Sequence, residues 1–269
     1  INIMLRHTRE FRRLQEESDD FPLQFFFDMR ESVKRIRLEG THLEENEIFD
    51  LRRSLETIAA IVRFLDRGSD EGVYDYPTLH ELTEGVLTFP EILRRIDQIL
   101  DKYGKVKDSA SPALADIRMQ LHKAEGSVSR TLYSILRAAQ SEGLVDKDVT
   151  PTVRDGRLVV PIAPGLKRKI KGIVHDESST GKTVFVEPTE VVEANNRIRE
   201  LEGEERREII RILTDFSITV RPQVPAILQS YEFLAEIDFI RAKAQFAIQT
   251  NAIKPSLENK QVLDWRTAI

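Results

Sequence analysis

Two stretches of about 30 residues each carry one apolar stripe at alternating three and four spacing, and they flank a segment whose period switches to two. The first opens at Ser111-Pro112, a capping residue followed by proline at the first helical position, and runs through Leu114, Ile117, Leu121, Ala124, Val128, Leu132, Ile135 and Ala139 to Gly143. The second follows Pro188 and carries Val191, Ala194, Ile198, Leu201, Ile209, Ile212, Phe216 and Val220 before Pro222 and Pro225. At 1.5 Å per residue each predicts a helix of roughly 45 Å. A narrow stripe with charged flanks, such as Glu202, Glu204, Glu205, Arg206, Arg207 and Glu208, suits a helix packed on one partner and wet elsewhere. The two helices are therefore expected to pair antiparallel, with Ile198 and Leu201 facing the Val128 to Leu132 region.

Between them the pattern predicts two hairpins. Asp155-Gly156 supplies the positive φ values of a type I′ turn between Thr152-Val153-Arg154 and Arg157-Leu158-Val159-Val160. After Pro164-Gly165, the run Lys169 to Val174 and the run Thr183 to Val186 enclose the turn Ser178-Ser179-Thr180-Gly181. This small β unit is also where the charge changes sign. The whole chain is net -5, yet residues 152–186 hold seven basic and three acidic groups, a net +4. Such an island is a candidate footprint for phosphates or for an acidic partner. Its position at the end of a long helical stalk strengthens the nucleic-acid reading.

The first 105 residues read as a small helical domain, with periodic apolar positions around Met29 to Ile36, from Ile48 to Leu65, and from Ile92 to Leu100. Phe25-Phe26-Phe27 is read there as core packing, because no Arg or Lys is interleaved with it. A last helix, Ile227 to Thr250, returns toward this domain. The expected architecture is mainly α with a small antiparallel β insertion: helical core 1–110, long helices in 111–145 and 189–250, a four-stranded β unit 146–188 at the tip, and a linker 251–269. The chain starts at Ile1 and stops on an apolar run, which reads as a piece of something longer.

The chemistry is sparse. There is no cysteine, so disulfides, thiolate metal sites and cysteine nucleophiles are excluded, which fits a cytoplasmic setting. No run approaches a membrane span, and no membrane partner is expected. Gly181-Lys182-Thr183 resembles the end of a phosphate-binding loop, but the first glycine of that motif is replaced by Asp176 and a strand follows instead of a helix. His175-Asp176 lies on a strand without a nucleophile elbow, and the other histidines lack metal-ligand spacing. No metal, cofactor or catalytic residue is assigned to these 269 residues.

Six ordered motifs carry a family resemblance: Ser109 to Leu114, Val153 to Arg157, Gly172 to Asp176, Val184 to Pro188, Glu193 to Asn196 and Leu234 to Phe239. They resemble the N-terminal half of MutS type II proteins, the recombination-suppressing branch of the MutS superfamily. The resemblance implies a core domain, a lever of two long helices, and a clamp that meets nucleic-acid backbone. It also implies a longer parent with an ATPase, using ATP and Mg, and a Smr nuclease domain, acting as a homodimer. The implied partners are double-stranded or branched DNA, with the ribosome and its rRNA as the alternative. The expected phosphate contacts are Arg154, Arg157, Lys167, Arg168, Lys169, Lys171 and Lys182, with Ser178, Ser179 and Thr180 as neutral donors.

Overall fold

The computed structural model describes residues 2–17, 20–23, 26–68, 73–143, 145–255 and 259. Eight helices and four strands are found among them: α1 (Asn2–Glu17), α2 (Arg30–Arg35), α3 (Glu45–Leu65), α4 (Pro77–His80), α5 (Pro90–Ile99), α6 (Pro112–Ser141), β1 (Thr152–Arg154), β2 (Arg157–Ile162), β3 (Gly172–Glu177), β4 (Val184–Pro188), α7 (Val192–Val220) and α8 (Val224–Gln249). The chain is thus mainly α with a small antiparallel sheet. It forms two compact units, residues 1–96 with 217–269, and residues 97–216.

In the first unit α3 is the central helix. Its apolar positions Ile48, Leu51, Leu55, Ile58, Ile61 and Leu65 are fully buried, and a capping box between Glu44 and Glu47 satisfies its first turn. Helix α1, with Phe11 and Leu14 inward, and helix α8, with Ile227, Leu234 and Ile237 inward, complete the core. The sequence reading passes over α1 altogether. Ser217 Oγ accepts the Leu43 N–H at 2.9 Å, and Arg221 donates to the Ile36 carbonyl at 2.7 Å. The aromatic run differs from expectation: Phe26 and Phe27 stay half-exposed, with the Arg53 guanidinium over the Phe27 ring, while Phe25 lies outside the described residues.

In the second unit Ser111 caps α6 as its sequence predicts, its hydroxyl accepting the Leu114 N–H at 3.0 Å. The helices pair antiparallel: Ser111 donates to Glu208 at 2.6 Å, Arg118 to Glu205 at 2.7 Å, and Arg197 to Gln120 at 3.2 Å. Hydrogen bonds from Arg211 and Ser111 hold the Glu208 carboxyl at about 2, well below the usual glutamate range. Ile198 does join Val128 and Leu132 in one buried cluster, whereas Leu201, also buried, is not part of that cluster.

The distal half of α6 is not part of a bare stalk. Val128, Leu132, Leu136 and Ala139 pack against Val160 and Ile162 of β2, Val184 and Val186 of β4, and Ile170. A sheet this small cannot bury one apolar face by itself, so it takes the α6 stripe as its second layer.

The strand order is β1-β2-β4-β3, all neighbouring pairs antiparallel. Both predicted hairpins form, and Asp155 and Gly156 have φ of 49° and 70°. The β2–β4 ladder joins them, which makes β2 and β3 parallel, so residues 163–171 must run back along the sheet. That corrects one expectation: Lys169 and Lys171 are not alternate residues of a strand. Lys167, Arg168 and Lys169 lie in a turn after a 3₁₀ segment, Pro164–Leu166, and β3 starts only at Gly172.

Candidate nucleic-acid interface

The crossover between β2 and β3 holds four of the expected cations. Its anchors are apolar: Ile170 is buried in the α6–sheet cluster, Leu166 packs against that cluster, and the Ile170 N–H bonds back to the Leu166 carbonyl. Lys167, Arg168, Lys169 and Lys171 are left exposed around those anchors. The Lys171 carbonyl accepts the Thr189 N–H at 3.1 Å, tying the loop to the turn that leads into α7. Lys182 is exposed on the β3–β4 turn. Among the described residues no ion pair holds any of these five side chains.

The β3–β4 turn is built by its hydroxyls. Ser178 Oγ accepts the Thr183 N–H at 3.0 Å, the Gly181 N–H bonds the Ser178 carbonyl at 2.8 Å, and Ser179 and Thr180 face solvent. Because β4 follows immediately, Gly181-Lys182-Thr183 has no helix N-terminus behind it, and among the described residues no cluster of His, Asp and Glu could hold a metal. These residues do not fit a nucleoside triphosphate with its metal ion.

Arg154 is only partly available. Its guanidinium sits 4.1 Å from the Phe185 ring centre, 3.4 Å from the Asp176 carboxylate, and donates to the Val153 carbonyl. Arg157 faces the other way from a phosphate contact. It donates to Glu187 at 2.7 Å and to Asn196 at 2.7 Å, and its side chain is only 15% exposed.

Glu187 is the centre of this inward network. Fully buried on the sheet face away from α6, it accepts from Arg157, from Asn195 at 2.9 Å, and pairs with His175 at 2.6 Å. A bulge between Val174 and Asp176 turns the His175 side chain toward it. Burial alone would raise the Glu187 carboxyl, but the bonds from Asn195, His175 and Arg157 outweigh it, and its pKa lies below the ordinary value. Asn195 also brackets the Leu158 backbone, donating to its carbonyl at 3.0 Å and accepting its N–H at 3.4 Å. The sheet is thereby fastened to α7.

One basic surface escaped the sequence reading. Lys123, Arg130 and Arg137 are exposed on α6 at seven-residue spacing. They lie within about 40° of rotation over roughly 21 Å, opposite the stripe that covers the sheet. The exposed Ser127, Ser134 and half-exposed Tyr133 stand beside them, and the acids of α6 are Asp116 and Glu125. The signal was the spacing, which a count by segment averages away.

No family model matches the chain. Among curated proteins it is similar to Endonuclease MutS2 of Geobacillus sp. (strain WCH70), 34% identical over 264 residues, covering 94% of this chain and 33% of that protein. Endonuclease MutS2 of Halalkalibacterium halodurans is 32% identical over 263 residues, 98% of this chain and 33% of the relative. Endonuclease MutS2 of Symbiobacterium thermophilum is 34% identical over 257 residues, 96% and 31%. The chain spans about a third of the length of these curated relatives. Matched in sequence across nearly all of its own length, the chain belongs to the MutS2 family.

Proposed function

We propose that this region is the lever and clamp of a MutS2 protein, gripping nucleic-acid backbone without reading sequence and passing that contact to an ATP- and Mg-using domain elsewhere in the parent. The observation that carries it is the set of five exposed, unpaired cations on the crossover and turn of one small sheet. Phosphates attract such groups and release counterions when bound. The α6 stripe adds three more cations on the same unit. The name Endonuclease of the relatives supports a nucleic-acid substrate for the whole protein, of which a role in recombination suppression or repair and a cytoplasmic setting are part of this reading. No described helix is long and apolar enough to cross a membrane.

Mechanically, the Thr189–Lys171 bond and the Glu187 network join the cationic loop to the start of α7. A load on the loop is thus delivered to a 29-residue helix rather than dissipated in a hinge. The test is anisotropy of labelled duplexes of unrelated sequence at several salt concentrations. Four phosphate contacts give a slope of log K against log salt of about -3.6. Reversing Lys167, Arg168, Lys169 and Lys171 to Glu should weaken binding equally on all sequences and flatten the slope, with an unchanged thermal midpoint. Reversing Lys123, Arg130 and Arg137 should flatten it further. Retained binding by a folded loop variant rejects the reading, and competition among duplex, branched DNA and ribosomes identifies which polyanion is preferred.

A further inference from the structure

Toward its end α8 breaks its own pattern. Ile227, Leu234 and Ile237 fill its inner sector with buried apolar groups, yet the same sector continues, at four-residue spacing, as Arg241, Gln245 and Gln249. Together with Gln15 of α1 these polar side chains line a cavity of about 470 Å³ within the first unit. That is the size of a small-ligand site.

Phe21 and Ile248, both partly exposed, supply the apolar part of the wall, beside the buried Phe11 and Leu23. The Phe21 ring is fixed by edge contacts to Phe11 and Phe64, at centroid separations of 4.9 and 5.4 Å. Arg12 of α1 donates to the Ala252 carbonyl just past α8 at 2.9 Å, which ties together the two helices that carry the polar groups.

Three features restrict what fits. The polar lining consists of amides, each a donor and an acceptor, and one guanidinium, with no carboxylate among the described lining residues. Gln15 Oε1 is buried without a hydrogen-bond partner, so a turn of that amide toward a ligand N–H would satisfy it. Arg241 has five N–H donors, and a 3.6 Å contact to Asp238 on its own helix cannot use that fork. Guanine meets all three. It offers O6 and N7 as paired acceptors to an arginine fork, and N1–H and its amino group to a glutamine oxygen. Adenine carries a donor beside N7, which arginine cannot accept, and pyrimidines lack N7 altogether.

We propose that this cavity binds a guanine ring, of a free nucleoside or nucleotide or of an unpaired guanine in nucleic acid. The ring lies against Phe21, with Arg241 on O6 and N7 and Gln15 on the N–H edge. The proposal stands whether or not the basic loop of the second unit grips backbone.

Saturation-transfer NMR with guanosine tests it, because a nucleoside has no phosphate for the basic loop to attract. Guanosine should bind saturably with a dissociation constant below about 1 mM, and adenosine and uridine at least about fivefold more weakly. Arg241→Ala should weaken guanosine at least about tenfold, with the thermal midpoint unchanged. Gln245→Glu should do the same, since its new carboxylate one turn from Arg241 would occupy the fork. A hairpin oligonucleotide with one unpaired guanine, compared with its abasic counterpart at about 0.5 M salt to screen the backbone, separates the two sources. Binding tighter than guanosine and lost with the base assigns the nucleic-acid source, and no gain over guanosine assigns the free one. Failure of both guanosine and the unpaired guanine to bind, equal binding of all three nucleosides, or guanosine binding that survives both substitutions would overturn the proposal.

Discussion

Replacing Glu187 by Gln keeps the volume and the acceptor for Asn195 but removes the charge that faces Arg157. Breaking a fully buried ion pair costs about 3–5 kcal/mol. Arg157 is 15% exposed and keeps its bond to Asn196, so we expect the lower figure of about 2–3 kcal/mol. For a unit the size of residues 97–216 that corresponds to a fall in Tm of roughly 10 °C. The pH dependence has a definite sign. The folded Glu187 carboxyl lies below its unfolded value, so its contribution is complete above the unfolded value of about 4.3 and is lost as pH falls through the folded one. The gap between native and Glu187→Gln proteins should therefore be constant from neutral pH to about 5.5 and close on further acidification. Because two units can unfold separately, the readout should be local, namely amide exchange of Leu158 and Val186 alongside a circular-dichroism melt. A difference below about 0.5 kcal/mol, or one that widens with acid, would refute the assignment of this carboxylate as an ionised structural centre.

Two backbone predictions separate strain from steric exclusion. Gly156→Ala has open space around the new methyl and suffers only its positive φ, about 1 kcal/mol. Gly172→Ala would drive its methyl into the Glu187 carbonyl and the Pro188 Cα, so it should cost distinctly more and loosen the β3–β4 ladder, which urea unfolding and exchange of Val174 would register. Ser111→Ala removes both the cap of α6 and the bond to Glu208, for about 1–2 kcal/mol by urea denaturation, and rescue by Asp should be poor because it sets a second carboxylate beside Glu208.

Features written within a few residues of themselves were legible in the sequence. Ser111-Pro112 starts α6, Gly143 ends it with φ of 70°, and Asp155-Gly156 makes its hairpin, because each depends on local backbone preferences. What depends on partners far along the chain was not. The alternation Lys169-Ile170-Lys171-Gly172-Ile173-Val174 has a strand's period, but the strand can begin only where β4 offers a partner, and that start is Gly172 opposite Pro188. Arg157 looks like any cation of a basic island. Its carboxylate lies 30 residues away and its amide 39, and no local window contains either. Likewise α1 declares its inner face, His7, Phe11 and Leu14, only once α8 is there to receive it.

The motif residues on which the resemblance was read and the exposed cations of the loop and turn are largely different sets, and the structure gives a physical reason. Arg157, His175, Glu187, Asn195 and Asn196 come from four of the resembling motifs and meet in one network centred on the buried Glu187 and Asn195, where each needs a partner of fixed type at a fixed distance. Losing a partner of Glu187 or Asn195 would leave a desolvated polar group, so these buried members work only with their partners in place. Lys167, Arg168, Lys169, Lys171 and Lys182 have no such constraint, since any cation on an exposed turn presents the same charge to a phosphate. The network's role for them is positional. Four neighbouring cations repel one another and would favour an open loop, and the loop keeps its place because Ile170 is buried, the Lys171 carbonyl is bonded to Thr189, and Glu187 holds the neighbouring strand against α7. Deleting a single loop cation should therefore subtract one contact, whereas breaking the Glu187 cluster should remove the geometry that makes all of them act together.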